Sequence, residues 1–146
     1  MAITASGLFF PTLEKMFIDT AAQSIEAETH NCALVTNAST PAFDTHDFLN
    51  DLTEVAAGGG YTARGDNLVG TELTTSGGVA TFDATDQSWV TSTITARAAV
   101  GTFDIGSAAT DMLIWLSNFG ADASSVGGTF AVIWAALGIW TWDYTP

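Results

Sequence analysis

The sequence predicts a mainly β domain, a β-sandwich or barrel-like fold with one short N-terminal helix. Three observations carry the prediction. Past residue 53, short runs rich in Thr, Val and aromatic residues alternate with Gly, Asp and Ser, the punctuation of repeated strands. Paired glycines in TTSGGVAT (74–81) and at Gly127-Gly128 permit the positive φ of tight turns. Helical periodicity is confined to the stretch after Pro11, where Leu13, Met16 and Phe17 share one face. A length of 146 residues suits one domain with one core, and no repeat or long linker divides residues 1–146.

The elements follow in order. Residues 1–10 form an apolar arm ending in GLFF, and 11–22 a helix that Pro11 opens, since its missing N–H is no loss in a first turn. NCALVT (31–36) reads as a buried strand, and NASTPAFD (37–44) as a loop broken by Pro41. Residues 44–52 read as a helical turn with Asp44 as N-cap and Phe48 and Leu52 four apart. Strands are expected at 68–75, 79–83, 88–103 (with a bend), 112–119 and 129–142, the last divided or bulged at Gly138. MLIWLSNF (112–119) is apolar on both parities, as a strand covered on both faces would be. In 88–103, Ile94, Ala96 and Ala98 share one side, while Thr93, Thr95 and Arg97 share a wetter one. Trp89, Ile94, Ile114, Trp115, Phe130 and Trp134 are the expected buried positions.

Charge excludes some partners. Sixteen acids stand against three bases, Lys15, Arg64 and Arg97, for a net charge of -13. Phosphate recognition needs clustered Lys and Arg, so nucleic acid is excluded and anionic membrane surfaces are disfavoured. Charged residues make up only 13% of the chain, about half the usual share, so part of the surface is expected to lie against partners. The most apolar segment, 129–142, is too short for a membrane span. No secretory signal is evident, and a soluble chain is expected. Cys32 is the single cysteine and reads as a small core residue.

The loop GGGYTARGDNL (58–68) offers three readings. It lacks the Gly-Lys-Ser/Thr end of a Walker loop and the strand–loop–helix context of a dinucleotide site. Arg64-Gly65-Asp66 matches a cell-attachment triplet, but turn chemistry explains it more simply: Gly65 supplies positive φ, and its neighbours are expected to be dispensable. His30 with Cys32, Asp44 with His46 and Asp47, and Asp83 with Asp86 each fall short of a zinc or calcium pattern. No metal or other cofactor is expected. No nucleophile or metalloprotease signature occurs, so the chain is not read as an enzyme. Asn37-Ala38-Ser39 is a glycosylation sequon without a secretion signal to make it relevant.

Several runs together resemble one family. ALVT (33–36), His46-Asp47-Phe48 and the Gly-x-Gly-Tyr-Thr turn at 58–62 come first. FDATDQSWVTSTITARAAV (82–100) is the most specific, and FGAD (119–122), GTF (128–130) and Trp134 with Gly138-Ile139 follow. In this order they are similar to small virion proteins from the structural gene clusters of tailed bacteriophages and prophages. The resemblance implies a virion structural role, foremost decoration or cementing of the capsid exterior. A tail or fibre component contacting the host is the alternative, and a glycan-binding sandwich is a third reading from another class. The implied partner is the major capsid protein or another virion protein. A homo-oligomer is expected because so many aromatics with so few charges need cover, a trimer first because capsid lattices offer local threefold sites. Leu8, Phe9 and Phe10 in the arm, with Trp140 and Trp142 near the end, are the candidate interface residues. The arm has a second reading, in which it folds back onto its own core. GIWTWDYTP (138–146) and GTFDIGSAATD (101–111) depart from the family's pattern.

Overall fold

The computed structural model describes residues 3–18, 24–26 and 28–143. Its elements are β1 (Gly7–Leu8), α1 (Phe10–Ile18), β2 (His30–Val35), β3 (Asp66–Asn67), β4 (Glu72–Ser76), β5 (Val79–Asp83), β6 (Gln87–Phe103), β7 (Leu113–Val132) and β8 (Trp140–Asp143). They form two antiparallel sheets, ordered β1-β7-β6-β2-β3 and β4-β5-β8, neither closed into a barrel. The domain is mainly β and sandwich-like, with one short N-terminal helix. No helix among the described residues is long and apolar enough to cross a membrane.

One doubled hairpin organises both sheets. β6 and β7 pair from Thr102↔Leu113 to Gln87↔Val132, and the same two chain segments pair again as β5 with β8, from Phe82↔Trp140 to Val79↔Asp143. At about 3.3 Å per residue a straight β7 would run about 66 Å, whereas a chain of this length has a radius of gyration near ~15 Å. The ribbon therefore has to bend. Register shifts interrupt it between Trp89 and Ser92 and between Ala96 and Ala98, and Thr91 takes a positive φ of 51°. Ala96 lies opposite Ala123 but Ala98 opposite Asn118, so residues 119–122 bulge from β7. Such bulges curl a strand. Phe119 and Phe130, far apart along β7, end with ring centroids 6.2 Å apart.

The curl closes the sandwich with aromatic contacts. Phe82 on the second sheet meets His30 on the first at 5.3 Å, and His30 meets Phe103 at 5.1 Å. Trp115 takes the edge of Trp134 at 5.4 Å. This inner core also holds Cys32, Leu34, Trp89, Ile94 and Phe130. A second core lies on the other face of the first sheet, where Ala33, Val35, Val100 and Leu116 are covered by Ile3, Phe9, Leu49 and Leu52. β2 is thus buried on both faces. Where Gly101 faces Trp115 across the ladder, a Cβ would stand 2.1 Å from the indole; only glycine lets the ring lie flat there.

Several expectations need correction. The helix begins at Phe10, and residues 19–22 of the expected 11–22 lie outside the described residues. Asp44 caps nothing helical: a single 3-10 turn spans Leu49–Asp51, and the Asp51 carboxylate reaches back to accept the N–H groups of Asp47 and Phe48, both at 2.9 Å. The strand expected at 68–75 starts only at Glu72. The strands expected at 112–119 and 129–142 are instead one strand to Val132, a loop, and β8. β6 is long enough to pair the Gly- and Ser-rich middle of β7 despite its poor intrinsic strand propensity. Among the six expected buried residues, Trp134 is only half-buried, because its Nε1 donates to the Thr85 carbonyl at the rim.

Two tests follow from this packing. Gly101→Ala drives a methyl into the Trp115 ring and should lower stability by about 3 kcal/mol, read as a fall in the urea midpoint. Burial depresses the His30 imidazole below its ordinary pKa. A base whose pKa falls on folding binds its proton more readily when unfolded. Its contribution is complete above the unfolded value of about 6.5 and is lost as pH drops below it. The urea midpoint should therefore fall more steeply between pH ~7.5 and ~5 in the native chain than in His30→Phe. The Glu54 carboxyl, raised by burial, acts in the opposite sense at lower pH but is common to both proteins.

Candidate interaction surface

Trp140 and Trp142 lie two apart on β8 and so point to one side of the second sheet. Trp140 stacks on Phe82 with centroids 5.5 Å apart and planes 17° apart. Beside it, α1 contributes Leu13 and Met16 and β4 contributes Leu73 to an apolar cleft of about 400 Å³ that Trp142 also lines. On its other side Trp140 joins Leu8, Trp115 and Ile139 in a groove of about 260 Å³. Ile139 then leads to a third hollow of about 390 Å³, where Phe119, Phe130 and Trp134 line the concave side of the curled ribbon. The three clefts share walls and make a belt of aromatic and aliphatic side chains. Large aromatic anchors in such clefts are the usual substance of protein docking sites.

The expected interface residues divide. Leu8 and Trp140 meet in one groove, and Trp140 and Trp142 in the next. Phe9 is fully buried in the second core, its ring 5.1 Å from Phe43; as a surface contact it is corrected, because the arm's own backbone ties it inward. The Phe9 N–H donates to Ile114 at 2.9 Å, and β1 pairs with β7. Ile3 is equally buried, so the described part of the arm folds back onto its own core. Phe10 is 58% exposed and Trp142 45% exposed, leaving these two as apolar side chains facing outward.

Sequence reasoning missed a polar network behind the 58–68 loop. Tyr61 donates its hydroxyl to Glu54 at 2.7 Å while accepting the Leu34 N–H at 2.9 Å. The same Glu54 oxygen accepts the Arg64 N–H. The Arg64 guanidinium reaches Asp104 and takes Asp111 through both Nε and Nη2, the latter at 3.0 Å. Asp111, fully buried, also accepts the N–H groups of Ile105 and Gly106 at 2.9 and 3.1 Å. Its hydrogen bonds to Asp111 hold the Arg64 pKa above the ordinary guanidinium value; burial raises the Glu54 carboxyl and the Tyr61 phenol. The expectation that Arg64 is dispensable is therefore corrected. Gly65 is as necessary as expected: its φ is +71°, and a Cβ would stand 1.9 Å from the Cys32 carbonyl oxygen.

The signal for this network was scarcity. With three bases in the chain, none is idle: Lys15 pairs with Asp47 at 3.6 Å, Arg64 with two aspartates, and Arg97 with Asp122 at 3.5 Å. Thr93 and Thr95 are exposed as expected, while Arg97 on their side is half-buried, and its Nη2 holds the arm through the Ile3 carbonyl at 3.3 Å. An inward Arg64 and an Asp66 paired in β3 opposite Cys32 leave no protruding Arg-Gly-Asp tip. Asp83 and Asp86 accept the N–H groups of Ala84 and Trp134, both at 2.9 Å. Among the described residues no group of three or more His, Cys, Asp or Glu is placed to hold a metal ion.

Fold and surface together define a two-sheet β protein with clefts lined by apolar side chains. No protein family, curated protein or solved structure matches the chain. The network yields a direct test. Arg64→Ala strands the buried Asp111 without its cation and should cost about 2 kcal/mol or more, below the figure for a fully buried pair because Arg64 is partly solvated. Asp66→Ala, in the same triplet, should stay within about 0.5 kcal/mol. Urea denaturation of the two variants separates them.

Proposed function

We propose that this chain is a structural protein of a tailed-bacteriophage virion, placed on the capsid exterior as a decoration or cement protein. The observation that carries the reading is the ordered resemblance described above, above all in residues 82–100. That run forms the end of β5 and most of β6, the strands on which both sheets are built. The apolar belt around Trp140 supplies a contact surface for the major capsid protein or another shell protein. Net charge of -13 suits an outer surface rather than a compartment filled with DNA. In this role the protein acts by contact, without catalysis or a cofactor.

Localisation on particles tests it. Antibody raised against the purified chain, applied to virions of the phage or prophage that encodes it, should label heads. Separated heads should retain the chain, and separated tails should lack it. Label confined to tails would transfer the reading to a tail or fibre component. Absence of the chain from purified virions would sink both.

A further inference from the structure

The second sheet rests on the first through a narrow seam. Phe82 is the single buried residue of β4, β5 and β8, whereas β2 of the first sheet is buried throughout. The Phe82 ring meets His30 edge-on with centroids 5.3 Å apart, and His30 lies in turn against Phe103. Two clefts open where the second sheet meets the rest of the chain. One of about 260 Å³ lies between Leu8 and Trp115 on one wall and Ile139 and Trp140 on the other. Another of about 400 Å³ lies between Leu13 and Met16 of α1 and Leu73 and Trp142. The chain enters and leaves the sheet through the short connections 68–71, 84–86 and 133–139, and Gly138 in the last takes a φ of +93°.

His30 is the ionisable group at that contact. It is 1% exposed, and neither ring nitrogen has a hydrogen-bond partner. Burial, without any charged neighbour, holds its pKa below the ordinary value. Charges on the surrounding elements are directed elsewhere. Asp83 accepts the Ala84 N–H, Asp104 takes Arg64, Arg97 pairs with Asp122, and Glu26 accepts the Leu73 N–H. Asp66 lies in β3 opposite Cys32, whose thiol burial raises, Glu28 is exposed, and Tyr61 donates to Glu54. An imidazolium at this place is a buried cation without an acceptor, which is a costly species.

Opening the seam relieves that cost, because an exposed imidazole titrates near its ordinary value of about 6.5. A base whose pKa rises on opening holds its proton in the open form, so falling pH favours that form. Unfolding of the whole chain gains the same proton but must also break the β6–β7 ladder and the core behind β2. Lifting the second sheet frees His30 while withdrawing one buried side chain of that sheet, and low-stability segments of this kind open before the rest. We propose that the second sheet is an acid-released flap: when His30 takes up a proton, β4, β5 and β8 lift from the first sheet while β6 and β7 stay paired. This goes beyond the virion reading and does not rest on it.

Amide hydrogen exchange of the purified full-length chain tests it, with protection taken relative to the unfolded chain at the same pH. Once lifted, three short strands lose the packing that holds their ladder, so their amides exchange. The β5–β8 ladder should therefore be less protected than the β6–β7 ladder at 98–101. Between pH ~7.5 and ~5 the β5–β8 amides should lose about tenfold or more of their protection, through the one proton that opening takes up. In His30→Phe that loss should vanish, and His30→Leu gives the same readout if the phenylalanine does not fit. Equal protection of the two ladders would mean that the second sheet opens only with the whole chain. Protection of β5–β8 that ignores pH would mean fraying that leaves His30 buried. Either result overturns the proposal, as does a loss on acidification that persists in the variants.

Discussion

A hairpin longer than the molecule that contains it is the constraint on which the rest of this structure depends. Residues 79–103 and 113–143 pair along nearly their whole length, and compactness forces the ribbon to fold over. Each device along it serves that bend: the bulge at 119–122, the positive φ at Thr91, and the loop 133–139 between β7 and β8. Doubling the ribbon brings Phe82 over His30 and Trp134 over Trp115. Two sheets thereby arise from one hairpin, with β2 and β4 added at its flanks. The inner core is the inside of the fold-over, which is why most of its largest side chains come from β5, β6 and β7.

Scarcity of cations shapes the polar half of the structure. A chain this acidic can bury a carboxylate only where a base or several N–H donors meet it. Asp111 has both, and by accepting from Arg64, Ile105 and Gly106 it fixes the loop joining β6 to β7. Arg97 and Asn118 hold the Ile3 carbonyl and so fasten the arm at the place where β7 bulges. The three bases thus sit at junctions between segments distant in sequence. The excess of acids over bases gives the chain its negative sign.

Trp134, Ile139, Trp140 and Trp142 of the belt lie in the uncharged segment 123–142, while Leu8, Leu13, Met16, Leu73 and Trp115 supply the facing walls. The same bend that closes the core thereby sets these tryptophans in clefts at the surface.

The sequence by itself determined the fold class, the short N-terminal helix, the exact span of β5, and the inward positions Trp89, Ile94, Ile114, Trp115 and Phe130, because periodicity and turn residues are local signals. It also marked Gly65, since a turn with positive φ announces itself in the residues. It did not determine that 113–132 is one strand, because the glycines and serines at its centre are weak strand formers and only pairing with β6 holds them extended. It could not place Arg64, whose partners Asp104 and Asp111 come from a loop far along the chain, nor show that Phe9 points inward while Phe10 points out. Of the candidate contact residues, Trp140 and Trp142 were legible as unusual aromatics. That Leu8 and Trp140 share a groove was decided by tertiary structure alone, because which strand lies beside which is a property of the whole chain's packing and not of any segment.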